Sequence, residues 1–383
     1  MTGSECIICG TPGARPFLLL DNVPVTCNRL FDTRATALSV SRGSIELTFC
    51  SQCGHIFNHD FDADRISYGL DYENSLGGSE RFREYERALV TALIQRYDLH
   101  ERLIVEIGCG RGDFLRAICE QGPNSGVGFD PSFAERSSIS NMTIRAERYD
   151  SRHAPLDPDL ICSRHTLEHI AEPRTLLDVV RNDASQNGVP LFFEVPNGLY
   201  TLRDGGVWDL IYEHRSFFTP TSLARLFVES GNQPLEVGEA YGGQFLAIHA
   251  STTAASSMVN TAAGRELETL VEDFAVTYWK KLEDWNTRLW QMERAGDRPV
   301  VWGGGAKAVS FLNALRPAPI EFVVDVNPRK HGMYIAGTGQ EIVSPQRLRE
   351  YRPNVVICIN AYYLEEIASQ LDGLGLRPQL VAA

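Results

Sequence analysis

The eleven residues from Leu103 to Asp113 constrain this chain more than any other stretch. Leu103-Ile104-Val105-Glu106-Ile107 is a short apolar run that ends in Gly108-Cys109-Gly110-Arg111-Gly112, and Asp113 opens a segment with helical spacing. A buried strand that feeds a glycine loop at a helix start is the repeating unit of a doubly wound α/β sheet. Glycines at alternate positions let the backbone turn tightly and approach a ligand that a Cβ would hold off. The spacing is G-x-G-x-G, not the G-x-G-x-x-G of a dinucleotide pyrophosphate site. Glu106 before the loop and Asp130 at the end of the next apolar run (126–129) suit a ligand that carries both a cation and a ribose diol.

S-adenosylmethionine is such a ligand. Glu106-x-Gly108-x-Gly110-x-Gly112 resembles the first motif of class I methyltransferases. The resemblance implies that the loop packs on the methionine part and that Asp130 accepts both ribose hydroxyls. The plain alternative is a glycine turn in an ordinary α/β domain.

Further apolar runs at 160–163, 190–195 and 244–250 alternate with helical stretches, so the sheet should be mainly parallel, with ligands at the carboxyl ends of its strands. Arg164-His165-Thr166-Leu167-Glu168-His169-Ile170 follows one of these runs directly, which aims Glu168 or His169 at a bound ligand; Glu194 to Asn197 stand in the same relation to the next. A second dense patch is Trp208 to Thr219, containing Glu213 and His214. Adjacent side chains cannot share one direction on a regular strand, so these two point apart. His214 is the better proton acceptor, because an imidazole titrates near neutrality whereas an unshifted carboxylate is a weak base for a carbon acid. The alternative is a surface loop whose charges are solvated.

At the start of the chain, Cys6-Ile7-Ile8-Cys9-Gly10 and Cys50-Ser51-Gln52-Cys53-Gly54 form two C-x-x-C knuckles. Four thiolates, from Cys6, Cys9, Cys50 and Cys53, make a closed tetrahedral zinc site with no position for water, hence a structural one. A β-like run at 44–49 delivers the second pair; Cys27, His55 and His59 nearby read as packing or surface residues. A redox C-x-x-C would need a βαβ setting that is missing here.

With 383 residues, the chain exceeds the roughly 100–200 of a single typical domain. We expect three: a zinc-binding domain over 1–75, a methyltransferase-like domain over 76–255 and a small Rossmann-like α/β domain over 256–383. The polar, aromatic stretch 67–79 reads as a lid or hinge before a helix over 80–97, whose stripe of Phe82, Tyr85, Leu89, Ala92, Leu93 and Arg96 should face a core. The small polar run 251–257 marks a boundary. A long helix should follow over 265–294, burying Phe274, Tyr278, Leu282, Trp285 and Leu289. Then Pro299–Trp302, Gly303-Gly304-Gly305-Ala306-Lys307-Ala308 and Asp325 fit the G-x-G-x-x-A dinucleotide fingerprint with its acid about 20 residues on. That domain either binds a nucleotide such as NAD or merely shares the shape.

A net charge of −13 argues against nucleic acid or an anionic membrane as partner, and no apolar run is long enough to span a bilayer. Met1 to Glu5 show no secretory pattern and nine cysteines suit a reducing compartment, so we expect a cytoplasmic protein with a small-molecule substrate.

The order of these parts resembles the sugar C-methyltransferases that act on nucleotide-linked 4-keto deoxysugars. The resemblance is carried by the four cysteines, the Glu106 to Gly112 loop, His169-Ile170, Glu213-His214 followed by Ser216-Phe217-Phe218, Tyr241-Gly242-Gly243-Gln244, and Val324-Asp325-x-Asn327-Pro328-x-Lys330-x-Gly332. It implies that His214 is the base, assisted by Glu213, His169 and Tyr72. The family's Tyr-His-Glu-His reads Ile211-Tyr212-Glu213-His214 here. The expected reaction is methyl transfer from S-adenosylmethionine to the carbon beside a ketone through an enolate. The alternatives are an O- or N-methyltransferase of another small metabolite, and a non-catalytic binding protein that retains the fold.

Overall fold

The computed structural model describes residues 4–133, 141–153, 156–184, 188–253, 264–315 and 319–383. Seventeen strands form three sheets among these residues. The first sheet takes β1 (Ser4–Glu5), β2 (Pro12–Pro24), β3 (Arg42–Cys50) and β4 (His55–Asn58), all antiparallel.

The second sheet takes β5 (Leu103–Ile107), β6 (Ser125–Phe129), β7 (Met142–Arg145), β8 (Leu160–Arg164) and β9 (Pro190–Pro196). The short β10 (Ser216–Phe217) leaves this sheet and pairs with β4, which draws the loop carrying His214 onto the N-terminal sheet. β11 (Gln233–Ala240) and β12 (Phe245–Ser251) complete the second sheet in the order β11-β12-β9-β8-β5-β6-β7. Six of its seven strands run in one direction; β12 alone is reversed, antiparallel to both β9 and β11. This is the mainly parallel, doubly wound sheet expected from the sequence, and its central strands β5, β8 and β9 are buried almost throughout, as a sheet covered on both faces requires.

The third sheet is entirely parallel: β13 (Pro299–Trp302), β14 (Phe322–Val324), β15 (Glu341–Val343), β16 (Val355–Cys358) and β17 (Gln379–Ala382), in the order β15-β14-β13-β16-β17.

Helix Glu80–Tyr97 starts at Ser79, whose Oγ accepts the Phe82 N–H at 3.2 Å, and stops at Asp98 in the left-handed region. Its buried face is Phe82, Val90, Leu93 and Ile94; Ala92 and Arg96 of the expected stripe are exposed, so the core-facing side lies about one residue further round. The long helix Arg265–Ala295 buries all five expected residues, and also Leu267 and Val271. Its apolar stripe joins the N-terminal sheet to the third sheet in a single core that includes Leu20, Ile45, Phe311 and Ile357. Of the sequence-derived domain boundaries, 255/256 lies outside the described residues. No described helix is long and apolar enough to cross a membrane.

The segment 67–79 runs from the N-terminal sheet to helix Glu80–Tyr97 and is fastened to the third-sheet domain. Glu73 accepts from Asn327 Nδ2 at 3.2 Å and pairs with Arg329, while the Glu366 carboxylate takes the Ser79 hydroxyl at 2.7 Å and the Glu80 N–H at 3.2 Å. A cavity of about 850 Å³ lies between the three sheets, bounded by this segment.

Candidate active site

Gly108, Gly110 and Gly112 all have left-handed φ, at 72°, 53° and 79°, yet they serve different ends. A Cβ on Gly108 would sit 1.9 Å from Thr166 Oγ1, and one on Gly112 would sit 2.4 Å from Ile144 Cδ1. A Cβ on Gly110 would meet nothing within 4 Å. Gly108 therefore allows the loop to close on the turn after β8. Gly112 packs against β7 and is not on the cavity wall, so it supports the loop without reaching a ligand. Only Gly110 leaves open space for one.

Asp130 is aimed by three donors: Gly110 N–H on Oδ2 at 2.8 Å, and the Ser132 N–H and hydroxyl on Oδ1 at 2.8 and 2.6 Å. A carboxylate has room for about four such bonds, so acceptor capacity remains for a ligand hydroxyl. Glu106 is buried on the same wall with Oε2 unpartnered, and burial pushes its carboxyl up to about 8. An orphaned acid beside an open glycine fits a ligand with an ammonium group, which the methionine part of S-adenosylmethionine supplies.

The wall of the same cavity also carries His169, His214, Tyr68 and Tyr72. His214 is held by ring edges, His169 at 4.9 Å and Phe217 at 5.7 Å between centroids. Burial, reinforced by His169, His165 and Lys307, holds its imidazole well below the usual range, so it rests neutral. His169 is also neutral, lowered to about 4 chiefly by burial. Its Nδ1 lies 2.9 Å from the Glu213 carbonyl oxygen, which can only accept, so Nδ1 carries the proton and Nε2 presents a lone pair.

Glu213 departs from the sequence reading. Its carboxylate does not hold His214 and is not on the cavity wall; it turns to the N-terminal domain, accepting the Cys27 N–H at 2.6 Å and the Tyr72 hydroxyl at 3.0 Å. Burial raises its pKa, against which these donors act. It fixes Tyr72 from beneath and ties the His214 loop to the first domain. Tyr68, which the sequence reading passed over, lies 3.2 Å from His169 Nδ1. Its only signal was its place in an aromatic, glycine-containing stretch. Glu194, offered by its position after β9, is engaged elsewhere: burial would raise it, but Arg164 at 3.0 Å and further donors hold it down to about 2. Arg164 is shared with Glu86 at 2.9 Å.

In the N-terminal domain the Sγ atoms of Cys6 and Cys53 lie 3.6 Å apart and those of Cys9 and Cys50 3.7 Å, with all four within 4.8 Å of one another. Tetrahedral Zn–S bonds of about 2.3 Å require sulfurs about 3.8 Å apart, so the cluster has the span of a metal site. Cys27 is not part of it, and His55 packs between Phe57 and Phe218.

In the third-sheet domain, Asp325 accepts from Gly304 N–H and Asn327 N–H, each at 2.7 Å, and Lys330 Nζ lies 3.5 Å away. The glycine loop faces the shared cavity, where Lys307 pairs with Asp209 at 2.7 Å.

Residues 79–237 match the family model of a methyltransferase domain, and residues 242–377 that of a C-methyltransferase C-terminal domain. The C-methyltransferase NovU of Streptomyces niveus is 25% identical over 390 residues, an alignment covering 95% of this chain and 91% of that one. Among solved structures, a SAM-dependent methyltransferase from Aquifex aeolicus aligns with TM-score 0.36 and 14% identity over 47% of this chain and 100% of its own. The magnesium protoporphyrin IX methyltransferase of Synechocystis PCC 6803 aligns with TM-score 0.35 and 16% identity, over 45% and 83%. The chain thus carries a methyltransferase domain followed by a C-methyltransferase C-terminal domain, and it is an S-adenosylmethionine-dependent methyltransferase.

Proposed function

We propose that this enzyme methylates the carbon beside a ketone on a nucleotide-linked deoxysugar, in the cytoplasm, with zinc in its four-cysteine cluster. The observation that carries the reading is His214, a half-buried neutral imidazole on the wall of a cavity that both glycine loops face. The NovU relative, named a C-methyltransferase, supports transfer to carbon. When bound, S-adenosylmethionine supplies an electrophilic methyl group, held by Glu106, Gly108, Gly110 and Asp130. The chain must then make a weakly acidic carbon nucleophilic, which needs a positioned base.

His214 takes that proton at a ring nitrogen. Burial keeps it unprotonated at rest, and the negative charge growing beside it favours the imidazolium. His169, oriented by the Glu213 carbonyl, packs against it and leaves Nε2 as an acceptor. Tyr72 and Glu213 fix the wall between the N-terminal domain and the His214 loop. The loop from Gly303 to Lys307, at the start of helix Ala306–Ala314, faces the cavity with amide groups and a lysine suited to the diphosphate. In this reading residues 1–75 organise the zinc, 76–255 hold the cofactor and 256–383 close the cleft on the nucleotide.

The test is proton exchange in heavy water, with a nucleotide-linked 4-keto sugar and S-adenosylhomocysteine in place of the methyl donor. Deuterium should enter the carbon beside the ketone; a product carrying its new methyl on oxygen or nitrogen overturns the reading. For the metal, elemental analysis should return one zinc per chain, and Cys50→Ser should lose it and destabilise the N-terminal sheet. A metal-free preparation that folds and turns over normally refutes that part.

A further inference from the structure

Enolate formation turns the C–H electron pair into a C=C bond and moves the carbonyl π pair onto the ketone oxygen while the proton goes to His214, so the site requires a hydrogen-bond donor for that oxygen. Several nearby donors are already committed. The His169 Nδ1–H goes to the Glu213 carbonyl, the Tyr72 O–H to Glu213 Oε2, and Arg164 gives Nε to Glu194 and Nη1 to Glu86, with Nη2 left unpartnered.

Glu168 is different. It is 2% exposed, it lines the cavity, and its Oε2 has no partner. Its Oε1 lies 3.9 Å from both His165 Nδ1 and His169 Nε2, beyond hydrogen-bonding reach. Its peptide carbonyl accepts the N–H of Arg215, the residue after His214, at 2.8 Å, so the two turns are joined. One polar atom from each of Glu168, His169 and His214 lies within 4.8 Å of the others. Resting on the carbon-methylation reading above, we propose that Glu168 is a catalytic residue that acts as a neutral carboxylic acid, donating a hydrogen bond to the substrate's carbonyl oxygen as that oxygen becomes an enolate.

The surroundings favour the neutral form. Burial raises the Glu168 carboxyl to about 8, and the Glu194 charge adds to the shift. The titratable groups that face it are His165, His169, His214 and Glu194; His169 and His214 rest neutral, so neither imidazole draws the proton off as a cation would. A carboxylic acid kept neutral by its site is a strong donor to an oxyanion, and here it has no internal acceptor to give up first.

The experiment compares the full-length enzyme with Glu168→Ala, Glu168→Gln and Tyr68→Phe, using a nucleotide-linked 4-keto deoxysugar. Deuterium exchange with S-adenosylhomocysteine, turnover with S-adenosylmethionine and cofactor affinity are each read. Glu168→Ala should lose on the order of 10²–10³ in both exchange and turnover, the range for one oxyanion donor, with cofactor affinity kept. Glu168→Gln keeps an N–H donor that cannot ionise; it should stay within about tenfold of wild type and should lack the wild-type fall in turnover above pH of about 8. Full activity in Glu168→Ala overturns the proposal, as does a Tyr68→Phe variant that loses what Glu168→Ala keeps. Glu168→Gln as inactive as Glu168→Ala also overturns it, pointing to a carboxylate base or a metal ligand. Wild-type exchange with an indifferent Glu168→Ala sinks only this role, whereas a wild type that neither exchanges nor methylates carbon sinks the carbon-methylation reading and this role with it.

Discussion

The two glycine loops of this protein share a backbone plan and differ in charge. In each, a parallel strand runs into glycines and a helix, and the acid ending the next strand takes a loop N–H: Gly110 to Asp130 at 2.8 Å, Gly304 to Asp325 at 2.7 Å. Two residues before the first glycine, however, stands Glu106 in one loop and Val301 in the other. Asp130 has the Ser132 hydroxyl on its second oxygen; Asp325 has the Lys330 ammonium beside it, and that ammonium also reaches the Gly304 carbonyl at 3.4 Å. The first loop thus offers an uncompensated acid to a cationic, diol-bearing ligand. The second has its acid neutralised and a lysine nearby, a poor match for the ribose-binding acid of an NAD site even though its spacing fits that fingerprint better. Side-chain charge, and not glycine spacing, separates the two loops.

The largest expected effect lies between the loops. His214→Asn should lower turnover and deuterium exchange by about 10²–10⁴, typical for a positioned base, while S-adenosylhomocysteine affinity holds. Full activity in this variant would remove the base from the space that both loops face. The loops themselves are separated by Asp130→Ala against Asp325→Ala. The first should weaken S-adenosylhomocysteine binding by about 1.5–3 kcal/mol, the range for hydrogen bonds to a charged group, and the second should leave it unchanged. Equal losses in calorimetry would mean that the comparison is wrongly drawn.

Gly112→Ala sharpens the distinction within the first loop. With its φ of 79° and Ile144 at 2.4 Å, the new methyl should destabilise the fold by about 1–3 kcal/mol in denaturant titration, and the folded fraction should still bind cofactor.

The smallest effect is a proton count. Glu106, at about 8, is mostly protonated at pH 7, and pairing with an ammonium ionises it. Cofactor binding at pH 7 should therefore release up to about one proton, seen as a buffer-dependent binding enthalpy, and Glu106→Gln should abolish the release. The sign for stability follows. Glu106 and Glu168 bind protons more tightly folded than unfolded, so the ligand-free enzyme should lose stability as pH rises from about 4.5 to about 8. Stability that rises across that window would show both carboxyls to be ionised in the native state.

In the two parallel sheets, every strand that the sequence reading missed is an edge: β7 and β11 in one, β15 and β17 in the other. Central strands are buried on both faces and write themselves as unbroken apolar runs, whereas an edge such as β11 has only half-buried and exposed residues and reads as loop. The site divides in the same way. The glycine loop, Asp130, the cysteine knuckles and His214 were legible because each is a local pattern with a chemical reason behind it.

Direction and partnership were not legible, because they depend on contacts between distant segments. Glu213 and Cys27 are 186 residues apart, and Tyr68 and His169 are 101 apart. Sequence determined which residue types were available and which segments became strand, loop or helix, since those follow from local periodicity and backbone freedom. Tertiary structure alone turned Glu213 away from the cavity, tied the proton of His169 to a carbonyl and left Glu168 buried with an unpartnered oxygen. The reason is physical: hydrogen-bond partners and desolvation are set by what the fold packs around a side chain, and adjacency in the chain does not encode them.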